Sequence, residues 1–540
     1  MDIKKKTLDI MDLILKICIV ILILIFVLYP FKSVFSKALY RDGQINLSEF
    51  LFLNSEFYLV KNSIISATIT ALLSTIFALA LSLMTFFITE KQKKIIMFIL
   101  LLTMVSPPFI GSLTYIELFG RSGFITKQIL NLSINPYGLW GIVSVQTLGF
   151  TSLNAVLLMG YLDSFDNTMI ESAKSLKADT TNIILDIIIP IMKPAIAVCF
   201  LLSFIRSMAD FSSPMIIGGA FNTLATEAYL SIIAKGNSAR ASAISLILFI
   251  PSVIIFTIYN YFSKQQQSAS KNLRKIKGKL KKTGVYHLLK SMALFFVVWI
   301  IIQYLAIFIS AFTDKYKGDT YFTLNNILES IPYIKDSFIR SMVYSLIAGV
   351  FSSLIGLILS YYSYIMNIRY MKILDFISNM PYIVPGTFFG LGYIFAFNNR
   401  PLKLTGTAII VILNLLFRQL PMSIRTIQNS MTQIEKSTLN SAKDLGAHNL
   451  YILKDIVLPM SYSGLFLAFT NTFISSMTTI GSIIFLVYPN RKLATLVLFD
   501  LVASGKYKVA SVLSCIIIII CLSVSLLSYR IFNGSNKNVS

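Results

Sequence analysis

Apolar runs of about twenty residues, some twelve of them separated by short polar loops, constrain this chain more than any other feature. A helix rises about 1.5 Å per residue, so ~20 apolar residues match the hydrocarbon layer of a bilayer. The runs fall near 11–31, 61–89, 95–118, 139–162, 191–217 and 241–263, then near 291–312, 338–366, 374–397, 406–428, 461–487 and 507–531. With 56% hydrophobic residues, 13% charged residues and a mean hydropathy of +0.75, one water-soluble core cannot hide the apolar surface, and lipid must cover the rest. The expected fold class is an all-α, polytopic membrane protein.

The first run, Leu13 to Tyr29, follows Lys4, Lys5 and Lys6, which is also the layout of a secretory signal. Tyr29-Pro30-Phe31-Lys32 offers no small-residue cleavage site, and the apolar stretch is longer than a usual signal core, so an uncleaved anchor is expected. The net charge of +23 is read loop by loop in such a chain, and no nucleic-acid partner is expected. Residues 264 to 290 hold Lys271, Arg274, Lys275, Lys277, Lys279, Lys281 and Lys282 and no acid. Placed in the cytoplasm, this stretch fixes an even number of spans before it and puts both termini inside. A solvated positive-inside linker explains it; binding of anionic lipid is the alternative.

Cys18, Cys199, Cys515 and Cys521 all lie in apolar runs without metal-ligand spacing, and His287 and His448 are the only histidines. No disulfide, metal site or catalytic residue is expected, because no Ser/His/Asp arrangement or paired carboxylates suited to acid/base work occur either.

The chain repeats itself. Ser63 to Ser74 resembles Ser341 to Ser352 in size pattern, and the same offset of 278 carries Pro107 onto Pro385 and Tyr115 onto Tyr393. After a loop nine residues shorter in the second half, an offset of 269 carries Ser172-Ala173-Lys174 onto Ser441-Ala442-Lys443 and Pro190 onto Pro459. Two six-span halves result, 1–263 and 291–540, joined by the basic linker 264–290. An even span number makes the halves parallel, which disfavours, without removing, an ion-coupled secondary transporter built from inverted repeats.

Between the fourth and fifth spans of each half lies a polar loop, about 163–190 and 429–459, cytoplasmic by parity. Each carries a helical stripe, Phe165, Met169, Ala173 and Leu176 in one and Ile434, Thr438, Ala442 and Leu445 in the other. The loops read Glu171-Ser172-Ala173, three residues, Lys177, nine residues, Ile187-Ile188-Ile189-Pro190; and Asn440-Ser441-Ala442, three residues, Gly446, nine residues, Ile456-Val457-Leu458-Pro459. Small residues admit a close partner, Gly permits a left-handed turn, and Pro opens the next helix where no amide donor is needed. The pattern resembles the EAA loop of importer permeases: Glu-Ala-Ala, three residues, Gly, nine residues, Ile-x-Leu-Pro. Lys177 stands at the Gly position of the first loop and Asn440 at the Glu position of the second, so the first turn must tolerate a side chain or bend elsewhere.

The resemblance implies the type I ABC importer permease fold, with each loop forming a coupling helix seated in a cleft of a cytoplasmic ABC ATPase subunit, present in two copies. It implies an extracytoplasmic substrate-binding protein and a place in the bacterial inner membrane. No phosphate-binding loop exists in the chain, since Ser504-Gly505-Lys506-Tyr507 lacks the upstream Gly and the hydroxyl residue, so ATP is expected to be used by the partner and no cofactor to be bound directly.

Asp210-Phe211-Ser212-Ser213-Pro214 with Gly218-Gly219, and Leu224-Ala225-Thr226-Glu227, are similar to fused ferric-iron permeases, as is Ile483 to Pro489 with Leu493-Ala494-Thr495. Permeases for 2-aminoethylphosphonate, thiamine or polyamine share parts of the layout and stand as alternatives. Ferric iron wants oxygen ligands, and apart from Asp210 and Glu117 few acids sit within the spans, so the metal is expected to be held by the separate binding protein. Arg206 and Asp210, spaced i,i+4, are expected on one helical face ~18 and ~24 Å along from Pro194, pairing with each other or lining a water-filled path. Tyr115 and Tyr393 are expected in an aromatic belt near the outer interface, with a translocation path as the other reading; Arg418 and Arg425 are expected toward the cytoplasmic end of the tenth span.

Overall fold

The computed structural model describes residues 2–41, 44–163, 168–269, 280–316 and 319–537. Phe165 and residues 270–279, the middle of the basic linker, lie outside these. Among the described residues nine helices are long and apolar enough to cross a bilayer, and three bent helix pairs raise the number to as many as 12.

Two of the bends are proline chemistry at repeat-equivalent places. Glu90–Val105 and Phe109–Ile129 meet at 100°, and Arg369–Ile383 and Gly386–Phe397 meet at 113°. The straight spans expected at 95–118 and 374–397 are thus broken. Ser106 and Val384, each just before a proline, take extended backbone with ψ of 144° and 154°, because the proline ring crowds the helical conformation of the residue preceding it. Such irregular backbone inside a membrane persists only where protein or a polar cavity surrounds it.

The fifth spans begin earlier than expected. Instead of opening a helix, Pro190 and Pro459 follow wide π-helical turns, Ile183–Ile188 and Ile452–Val457, within helices that start at Thr180 and Asn449. The Ile189 amide donates to the Ile184 carbonyl and the Leu458 amide to the Leu453 carbonyl, five residues back. The wider turn absorbs the register change where proline cannot donate. From there the halves differ: Thr180–Ala209 is one unbroken span, whereas Asn449–Met460 and Tyr462–Thr478 are bent by 73°. Both spans end short of the expected 217 and 487. A short helix, Ser212–Ile217, follows in the first half and a series of turns in the second, and each leads to a short apolar helix, Leu224–Ile233 and Ala494–Ala503.

Each half lends its first span to the other. Lys5–Leu39 lies along the second half: Phe31 meets Phe388 at 5.1 Å between ring centroids, and the Tyr362 hydroxyl donates to Asp12 at 2.5 Å. Gly284–Phe312 lies along the first half: Phe296 meets Phe77 at 5.9 Å, and Ser310 donates to Glu117 at 3.1 Å. The sequence halves 1–263 and 291–540 are therefore repeats in the chain but not separate packing units.

Candidate coupling and translocation sites

The polar loops contain two short helices, Thr168–Ser175 and Lys436–Asp444, that stop in the same way. In the first, the Ala178 amide donates to the Ala173 carbonyl and the Lys177 amide to the Lys174 carbonyl, each at 3.0 Å. In the second, Ala447 donates to Ala442 at 3.0 Å and Gly446 to Lys443 at 2.9 Å. This is the Schellman arrangement, which needs a left-handed residue one past the cap. Gly446 takes it with φ of 79°, and Lys177 takes it too, with φ of 57°. The first turn therefore tolerates its side chain rather than bending elsewhere, at a backbone cost of roughly 1 kcal/mol.

The expected stripes divide between two faces. Ala173 and Ile434 are buried and Ala442 packs on the core, joined by Ile170 and Leu439 from outside the stripes, whereas Thr438 is exposed. Met169 is exposed, and Leu176 and Leu445 reach 83% and 88% exposure, the highest of any large apolar side chain among the described residues. Both leucines sit at the cap where the helix stops, so they leave the face that Ala173 and Ala442 share. Glu171, Ser172, Asn440 and Ser441 are exposed beside them. Acid in a first turn suits Glu171 to the helix dipole.

Just beyond the left-handed turns, Asp179 accepts from the Thr181 amide at 3.1 Å and His448 Nδ1 accepts from the Leu450 amide at 3.2 Å, capping the helices that become the fifth spans. The Thr181 hydroxyl and amide hold the Asp179 carboxyl below the usual carboxylate range. His448 Nε2 also meets Asp9 at 3.0 Å, tying this turn to the crossed-over first span.

The strain at Lys177 makes a prediction. Gly446→Val should cost about 1–2 kcal/mol, because a β-branched residue resists a positive φ, whereas Lys177→Gly should gain up to about 1 kcal/mol. An added Cβ at Gly446 meets no heavy atom within 4 Å, so the loss is conformational and not a clash. Thermal unfolding of the purified protein measures both; equal effects of the same sign would refute the shared left-handed turn.

Within the membrane, Arg206 and Asp210 do not pair. The helix ends at Ala209, so Asp210 leaves the face that i,i+4 spacing assigns it. Its carboxylate instead accepts from the Ser212 amide at 2.9 Å, the Ser212 hydroxyl at 2.5 Å, the Ser213 amide at 3.3 Å and Gln146 Nε2 at 3.0 Å. Arg206 donates through Nη2 to the Tyr382 hydroxyl at 3.4 Å. Tyr115 is half-buried and donates to the Pro136 carbonyl at 2.8 Å. Tyr393 lies in no aromatic belt: it is fully buried and donates to the Phe26 carbonyl of the crossed-over span at 2.8 Å.

Arg425 is exposed, but Arg418 sits ten residues into Ala408–Met431, away from the cytoplasmic end expected for it. It donates through Nη1 to the Val384 carbonyl at 2.9 Å. Arg206 and Arg418, one from each half, thus converge on the broken segment at Tyr382-Ile383-Val384. The signal in the sequence for this position is a cation in mid-span opposite a proline break, which positive-inside bias does not explain. Among the described residues, no three His, Cys, Asp or Glu side chains come together as a metal ligand set.

Known proteins are similar to this chain in sequence. The family described as "Binding-protein-dependent transport system inner membrane component" matches residues 79–267 and 352–537, once in each half. The ferric transport system permease protein FbpB of Actinobacillus pleuropneumoniae is 30% identical over 525 residues, 94% of this chain and 76% of that one. A protein carrying the ferric transport permease name FbpB 1 in Haemophilus influenzae is 31% identical over 487 residues, 87% of this chain and 77% of that one. The spermidine/putrescine transport system permease protein PotC of Escherichia coli is 27% identical over 194 residues, 36% of this chain and 67% of that one. With two family matches in register with its two crossed-over sets of spans, this chain belongs to the inner membrane components of binding-protein-dependent transport systems.

Proposed function

We propose that this chain is the permease subunit of an ATP-driven importer that moves ferric iron delivered by an extracytoplasmic binding protein. The observation behind the coupling role is the pair of helices Thr168–Ser175 and Lys436–Asp444, stopped by matching turns and each presenting an almost bare leucine. Two copies of a cytoplasmic ABC ATPase subunit would cover Leu176 and Leu445, with Glu171, Ser172, Lys177, Asn440, Ser441 and Gly446 around them. Both helices, the basic linker and both termini then face the cytoplasm. Pro190 and Pro459 would pass the motion on, since the π-helical turns before them join each short helix to a fifth span.

Iron is favoured over polyamine because the ferric relatives match 94% and 87% of this chain, against 36% for the spermidine/putrescine relative. The hard ferric ion would be selected by oxygen ligands of the binding protein, since the spans hold few carboxylates. ATP hydrolysis by the reconstituted complex is expected to rise with a ferric-loaded cognate binding protein and not with free iron alone. Stimulation by a polyamine-loaded protein with none from the ferric form would overturn the iron assignment.

A further inference from the structure

Among the described residues, Arg206 and Arg418 are charges inside spans that meet no acidic side chain. They lie ~25 Å along Ile189–Ala209 and ~15 Å along Ala408–Met431. Neither joins any of the ion pairs found among the described residues. The Tyr382 hydroxyl that takes the Arg206 hydrogen bond lies two residues from Val384, whose carbonyl takes that of Arg418, so the two cations grip one short segment. Asp210, the nearest acid along the chain to Arg206, is occupied by Ser212, Ser213 and Gln146. One turn before Arg418 on the same face, Asn414 is fully buried with Oδ1 and Nδ2 both lacking a partner. Two guanidinium groups thus meet at the break between Arg369–Ile383 and Gly386–Phe397, with an unsatisfied amide one helical turn before one of them.

Repeat symmetry does not account for the pair. At the offset of 269, Ser475 stands where Arg206 would recur, and Gly149 stands where Arg418 would have its counterpart. Each half supplies one arginine from a different span. Burying like charges together without a counter-ion is costly, and in a membrane protein such residues face a polar path.

We propose that Arg206 and Arg418, with Asn414, form an oxyanion subsite between the two halves, so that iron passes as an anionic complex with a phosphate-type or carboxylate ligand rather than as a bare cation. This rests on the importer reading above. Guanidinium groups bind carboxylate and phosphate in fork geometry, and the same oxygens are the ligands that ferric iron prefers. A bare trivalent cation would be repelled by both arginines, whereas an oxyanion on its surface would be drawn to them.

The test uses the complete complex with its ATPase and binding protein in proteoliposomes, with radiolabelled iron and inorganic phosphate or citrate as probes. Wild-type vesicles are expected to take up iron together with one of the two anions in a fixed ratio. Arg206→Gln and Arg418→Gln should each lower that uptake about tenfold, with partial rescue by the corresponding Lys variants, since the charge matters beyond the packing. In detergent, phosphate or citrate at matched ionic strength should raise the unfolding temperature of the wild-type complex and not of Arg418→Gln. Iron entering with both anions left outside, or no thermal response of the wild type to either anion, would overturn the subsite. An anion that binds and shifts the unfolding temperature but never enters with iron is a fixed counter-ion, which overturns the proposed form of the cargo. No iron entry at all from a ferric-loaded binding protein would instead sink the iron importer reading, and the thermal response would still report on the subsite.

Discussion

Replacing Leu176 and Leu445 together by Asp is expected to abolish binding-protein-stimulated ATP hydrolysis while leaving the permease folded in the membrane. At 83% and 88% exposure, the two side chains contribute almost nothing to this chain's own packing, so a polar replacement costs the fold little. Covering a leucine fully with a partner is worth about 1.5–3 kcal/mol, and a carboxylate covered in its place would carry a desolvation penalty instead. The double variant should therefore lose at least ~3 kcal/mol of association with the ATPase, roughly a hundredfold or more. Pull-down of the ATPase and stimulated hydrolysis measure it. Full coupling by the double variant, at normal abundance, would remove these turns from the interface. The single variants should each lose about half of that association energy, because each turn carries one of the two leucines.

Much of this was legible in the residues. Apolar run length gave the spans, and the paired small-residue loops gave the two short helices, because both signals are local. The left-handed turn at Gly446 was written in the glycine, and its twin at Lys177 only in the repeat, since lysine is an unfavourable residue there. What sequence pattern could not show was non-local. The breaks at Pro107 and Pro385 looked like tolerable prolines within spans, and only the packing around them decides whether a helix kinks or parts. Arg206 and Asp210 looked like a pair because i,i+4 spacing assumes a helix, which stops between them at Ala209. Tyr393 looked interfacial by position, yet the first span crosses from the other half and buries it. No local periodicity encodes that exchange.

Gly390→Val is expected to destabilise the protein by about 3 kcal/mol, and Gly149→Val by no measurable amount. Both glycines lie within helices and neither has a positive φ, so backbone freedom does not separate them. Space does. A Cβ at Gly390 would stand 2.5 Å from the Ser482 carbonyl oxygen and 3.1 Å from its carbon, which is backbone and cannot rotate away. At Gly149 nothing lies within 4 Å. Overpacking of this kind costs typically about 1–3 kcal/mol, and the β-branched side chain places the change at the upper end. The strand of contacts beyond Ser482 makes the position more than structural. Gly481 lies against Gly386 at the proline break, and a Cβ on it would meet the Phe211 ring of the first half at 3.5 Å. Pushing residues 481 and 482 outward therefore moves the backbone that holds the Tyr382 to Val384 segment, the same segment that both Arg206 and Arg418 grip. Thermal unfolding in detergent should show a lowered midpoint for Gly390→Val and an unchanged one for Gly149→Val. Equal midpoints would mean that the close approach of Gly390 to Ser482 is not part of the folded protein.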